Sequence, residues 1–101
     1  MTEQLKYGLS AKTVAELKEV FAKYQDVQKV ILYGSRAKGN FRTGSDIDLT
    51  LVAPKLDLSR LLKIENEIEE LMLPYKVDLS LFHKIENDQL IEHINRVGVE
   101  F

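Results

Sequence analysis

The chain has 101 residues, of which 45% are hydrophobic and 30% charged, and its formal net charge is −2. One core fits this length and a second domain does not; the composition excludes a disordered chain, and the charge gives no general attraction to nucleic acid or anionic membrane. There is no cysteine, so disulfides and thiolate metal sites are excluded.

The N-terminal "MTEQLKYGLS" lacks the apolar segment of a signal peptide, and no apolar run approaches a membrane span. The expectation is a single domain over 1–101, cytoplasmic, with neither membrane nor nucleic acid as direct partner. Val14, Leu17, Val20, Phe21 and Tyr24 recur at helical spacing, and Ser10 or the Thr13/Glu16 pair suits the cap. "KVILY" then reads as a strand closed by Gly34. "DIDLTLV" alternates, with Ile47, Leu49 and Leu51 on one face and Asp46, Asp48 and Thr50 on the other. Leu61, Ile64, Ile68 and Leu71 mark a second helix from about Leu58 to Met72, stopped before Pro74. "KVDLSLF" alternates again, setting Asp78 and Ser80 opposite Val77, Leu79 and Leu81. A last helix follows Asn87, with Gly98 placed for its C-terminal turn.

This order predicts a small α/β domain with a mixed three-stranded sheet, order 1-2-3, and helices packed on one face. For the Gly34 exit of the first strand to meet the Asp46 entrance of the second, those strands must be antiparallel. The third returns after a crossover helix, parallel to the second, which brings Asp78 beside Asp46 and Asp48.

The stretch "GSRAKGNFRTGSDID", residues 34 to 48, carries the chemistry. Asp46 and Asp48 alternate on one strand face, about 7 Å apart at their origins, so both carboxylates can converge on one point. Three carboxylates there repel unless cations lie between them. Magnesium, a hard ion held by a few carboxylates, water and phosphates, is the natural choice, and two such ions can clamp an in-line phosphoryl displacement. Glycine after a strand lets backbone N–H groups approach phosphate oxygens, and Ser35 can add its hydroxyl. Arg36, Lys38 and Arg42 form the dense basic cluster of the chain and lie in this loop, where they could neutralise a triphosphate. Read blandly, Asp46 and Asp48 would be a polar strand edge and these cations solvated loop charges. Tyr33 reads as core or wall, His83 and His93 as surface or capping groups, and "ENEIEELM" as the solvated face of a helix.

The pattern "GSRAKGNFRTGSDIDLTLV", followed by "KVDLSL", resembles the nucleotidyltransferase superfamily that includes DNA polymerase beta. More narrowly it resembles the minimal nucleotidyltransferase (MNT) antitoxins of HEPN ribonuclease toxins, over nearly the whole chain. The resemblance implies that Gly34 and Ser35 bind nucleotide phosphates; from the loop itself, Arg36, Arg42 and Ser45 are expected as further nucleotide contacts. It implies that Asp46, Asp48 and Asp78 are catalytic and hold magnesium, in two ions. The implied activity is adenylyl transfer from ATP to a tyrosine hydroxyl of the HEPN toxin. Lys38 stands where arginine is common, and Val97 and Phe101 stand where an acidic residue and a tyrosine are expected.

Two other classes of function stay open at this point: a stoichiometric neutraliser without catalysis, and transfer to a small molecule or an RNA end. About twenty residues follow the third strand, too few for a second lobe over the base, so a partner is expected to complete the site.

Overall fold

The structure, a computed structural model, describes residues 6–101. In chain order it contains α1 (Ala11–Ala22), β1 (Lys29–Tyr33), α2 (Gly34–Lys38), β2 (Ile47–Val52), α3 (Leu58–Glu70) and β3 (Val77–Leu81). A 3₁₀ turn (Phe82–Lys84), α4 (Asp88–Val97) and β4 (Val99–Glu100) complete it.

The helix starts follow their capping chemistry. Ser10 Oγ accepts from the Thr13 N–H at 3.1 Å, Asp57 Oδ1 from the Arg60 N–H at 2.9 Å, and Asn87 Oδ1 from Gln89 and Leu90 at 2.9 and 3.1 Å. Each satisfies first-turn donors that the helix cannot, and each contributes about 1 kcal/mol. α3 ends before Pro74, with Met72 in the left-handed region at φ 53°.

The sheet order is β3-β2-β1-β4. β1 and β2 are antiparallel and β2 and β3 parallel, so the expected order of three strands stands and a fourth is added. β4 pairs antiparallel with β1, and Phe101 N–H donates to the Val30 carbonyl at 2.8 Å. The sequence "VGVEF" is too short to announce a strand, and an existing edge is what recruits it. Gly98 does not make a left-handed turn: it is extended, φ −63° and ψ 142°. A Cβ there would strike the Ile94 carbonyl and Ile31, so glycine is needed for space.

Leu32, Ile47, Leu49 and Leu51 lie on one sheet face against Leu17 of α1 and Ile64 of α3, all with no exposed surface. Each such side chain contributes about 1.5–3 kcal/mol on burial. α1 and α3 thus cover the aliphatic face as expected. α4 lies across the other face over β1, where His93 meets the Tyr33 ring and Gly98 meets Ile31. The helices therefore do not share one face. The acid-bearing face is closed over β1 and at Thr50, which is buried, and is left open at the end of β2 and β3 that carries Asp46, Asp48 and Asp78.

Candidate active site

Strand register assembles the acidic cluster. Asp48 pairs directly with Tyr33 of β1 on one side and with Asp78 of β3 on the other, so all three side chains share a face. Asp46 stands immediately before β2. Asp46 and Asp78 are exposed and Asp48 is half-buried. Burial pushes the Asp48 carboxyl above the usual carboxylate range, and the charges of Asp78 and then Asp46 push it further, while His93 partly offsets them. Tyr33 is buried at 8% exposure, and burial raises its phenol, with Ser80 pulling it back and Asp78 and Asp48 adding to the rise. Beside them Ser80 Oγ donates to Thr50 Oγ1 at 2.9 Å, a hydroxyl pair that ties β2 to β3 under the carboxylates.

Gly34 opens α2 at φ 76°, a conformation side chains disfavour. A Cβ at this position would overlap the Asp48 carboxylate, so the backbone turn and the acid group are in direct contact. The Gly34 N–H donates to His93 Nε2 at 3.2 Å, and the imidazole stands edge-on to the Tyr33 ring with centroids 6.1 Å apart. His93, which the sequence suggested as a surface or capping group, is part of the site wall. Its only sequence signal is its place on the helix after β3, and helical periodicity cannot say that this helix crosses the acidic face.

The basic loop divides. Arg36 is 2% exposed. Its Nε and Nη2 donate to the Ser45 carbonyl at 3.3 and 2.9 Å, and Nη1 donates to the Tyr7 carbonyl at 2.9 Å. The guanidinium lies between the Phe41 and Tyr75 rings, 5.2 and 5.0 Å from their centroids. A charge so placed does not face a ligand; it fixes the carbonyl of the residue preceding Asp46. Arg36 thus departs from the expectation of a phosphate contact. Arg42 and Lys38 are exposed at the loop surface, and Ser45 Oγ accepts from the Arg42 N–H at 2.8 Å. The half-buried Ser35 hydroxyl enters no hydrogen bond among the described residues, and Ser35 O accepts from Gly39 and Asn40 at 2.9 and 3.2 Å.

Among the described residues no group of three or more histidine, aspartate or glutamate side chains is arranged to hold a metal ion; the fit to magnesium rests on the chemistry of the donors and not on a formed cage. None of Asp46, Asp48 and Asp78 has an ion-pair partner among those residues. Mutually repelling, unpaired carboxylates on an open surface match an ion that takes one or two of them and completes its shell with water and phosphate.

A family model described as polymerase beta, nucleotidyltransferase, matches residues 15–101. Among solved structures, a toxin-antitoxin with AMP-PNP is 19% identical, with a TM-score of 0.70, over 85% of this chain and 69% of that one. A mutant of the toxin-antitoxin MntA-HpeT is 20% identical, with a TM-score of 0.70, over 87% of this chain and 70% of that one. A candidate nucleotidyltransferase from Sulfolobus solfataricus is 20% identical, with a TM-score of 0.52, over 100% of this chain and 90% of that one. At such identities the likeness is one of fold. No curated protein matches the chain.

Proposed function

The chain belongs to the polymerase beta nucleotidyltransferase family, and from that premise we propose that it moves AMP from ATP to a tyrosine hydroxyl of a HEPN-type toxin, as that toxin's antitoxin in the cytoplasm. The observation that carries the reading is the contact of the Gly34 turn with Asp48, itself flanked by Asp46 and Asp78. A phosphate-binding turn and a cation-demanding carboxylate then act on one ligand. Fold neighbours found as toxin-antitoxin assemblies, one with AMP-PNP, support the class of partner and of nucleotide.

In this reading the Gly34 turn, whose own N–H is held by His93, lets the triphosphate approach the backbone closely, the Ser35 N–H and hydroxyl hold it, and Arg42 and Ser45 close over it from the loop. Asp46 and Asp48 would both hold magnesium, and Asp78 would hold the second of two ions. Magnesium, when bound, supplies positive charge to the phosphoryl oxygens during the displacement. The acceptor oxygen forms a bond to the α-phosphorus as the bond from that phosphorus to the departing pyrophosphate breaks. Asp78, exposed at the sheet edge, orients the acceptor hydroxyl and passes its proton to water. Arg36 acts at one remove, by fixing Ser45 and so Asp46.

The test is the intact mass of the product of the neighbouring gene, the expected toxin, after incubation with this protein, ATP and magnesium. A gain of one or more AMP units with the native protein, absent with an Asp46→Asn/Asp48→Asn variant, is expected. No gain, with a stable complex formed by both versions, would replace the enzyme with a stoichiometric binder.

A further inference from the structure

β3 is the outer strand of the sheet, and its free edge runs past the reacting groups. Ile47 N–H donates to the Lys76 carbonyl at 2.9 Å, which sets the phase of the parallel ladder. Lys76, Asp78 and Ser80 therefore turn their backbone groups toward β2, and Val77 and Leu79 turn theirs outward. Between that edge and the C-terminal half of α3 lies a groove of about 420 Å³. Glu65, Glu69 and Asp78 line it, with Lys76 as the single cation. None of these four enters an ion pair among the described residues. Met72, 87% exposed, forms an apolar lip. Because Asp78 belongs to both, the groove is continuous with the candidate active site.

We propose that this groove receives the acceptor: an extended, basic segment of the partner protein that pairs with β3 as a further strand. The inference rests on the transferase reading above and adds the side from which the acceptor arrives. On an added strand, the side chain directly opposite Asp78 shares its face, with Cβ atoms about 5 Å apart. An acceptor hydroxyl carried there is delivered to the open carboxylate face. The residues on either side of it point the other way, toward α3, where Glu65 and Glu69 select lysine or arginine. The side of "ENEIEELM" that carries Glu65 and Glu69 is thus a recognition surface, and the same carboxylates repel an RNA strand.

Steady-state AMP transfer to the toxin, by the native protein and by a Glu65→Lys/Glu69→Lys variant, tests this. The expected result is a KM for the toxin raised about tenfold or more, with kcat and calorimetric ATP affinity unchanged. An unchanged KM overturns the groove while leaving the transferase reading intact. Absence of transfer by the native protein overturns both. Amide hydrogen exchange gives a readout independent of turnover, using the toxin with AMP-PNP. Protection of Val77 and Leu79 on adding the toxin supports strand addition, and unaltered exchange overturns it. Protection that grows with the protein's own concentration, without toxin, assigns the edge to a second copy of this chain and also overturns it.

Discussion

The Asp48 carboxylate occupies the space that a side chain on Gly34 would fill. Gly34→Ala therefore meets two penalties. Its φ of 76° costs an L-residue about 1–2 kcal/mol, and the new methyl displaces the carboxylate. Misplacement of a reacting group by an ångström costs about a hundredfold in rate. We expect transfer to fall by at least that factor while circular dichroism shows the same helix and strand content. Turnover within a few-fold of native would mean that the contact is not part of catalysis.

This contact shows what the sequence makes legible and what it does not. Alternation in "DIDLTLV" and "KVDLSLF" places Asp48 and Asp78 on one face, and the crossover helix makes their strands parallel, which the register confirms. The Gly34 turn is legible because glycine after a strand has few other uses. Arg36 misleads for a physical reason: a cation in a glycine loop looks like a phosphate ligand. Its real partners are two carbonyls and two rings, brought together by a turn at Tyr7 and by Tyr75, both distant in sequence. β4 is hidden likewise, since two residues have no periodicity.

Asp48 is also where stability is given up. Its native pKa is raised, so the folded chain holds this proton more tightly than the unfolded one does. The contribution is favourable at pH below the unfolded carboxylate value and is lost as pH rises through the raised native value. At neutral pH, Asp48→Asn removes that cost. Because the group is only half-buried and its neighbours are exposed, the gain is about 0.5–1 kcal/mol, or a Tm higher by a few degrees. The same variant should lose transfer and most of the Tm increase that the proposed binding of magnesium with ATP is expected to give the native protein. A lower Tm for the variant, in the absence of both ligands, would contradict the repulsion.

Arg36 should behave as a core residue. Arg36→Ala leaves the Ser45 and Tyr7 carbonyls without their donors and opens a void between Phe41 and Tyr75. A loss of about 2–4 kcal/mol is expected, read as a lower denaturant midpoint. Arg36→Lys keeps the charge but not the paired donors to Ser45, so it should recover less than half of that stability. If Arg36→Lys instead has native stability and fails only in ATP binding, the guanidinium is a nucleotide ligand after all.

His93 connects α4 to the turn that begins α2. Its Nε2 accepts from the Gly34 N–H, which requires the imidazole's own proton to be on Nδ1 if the ring is neutral. That bond, together with the edge-on Tyr33 ring, holds Gly34 where its backbone can meet phosphate. One such bond contributes about 1 kcal/mol. His93→Ala should therefore weaken ATP affinity about fivefold, with a smaller effect on kcat. His93→Gln, whose amide oxygen can accept from the same N–H, should restore most of it. Calorimetric titration of both variants with ATP and magnesium separates two roles for the ring. Weaker binding in the alanine variant, repaired by glutamine, identifies a residue that shapes the turn. Tighter binding in the alanine variant identifies a plug, an imidazole that competes with phosphate for the Gly34 N–H, and would reverse the role argued here.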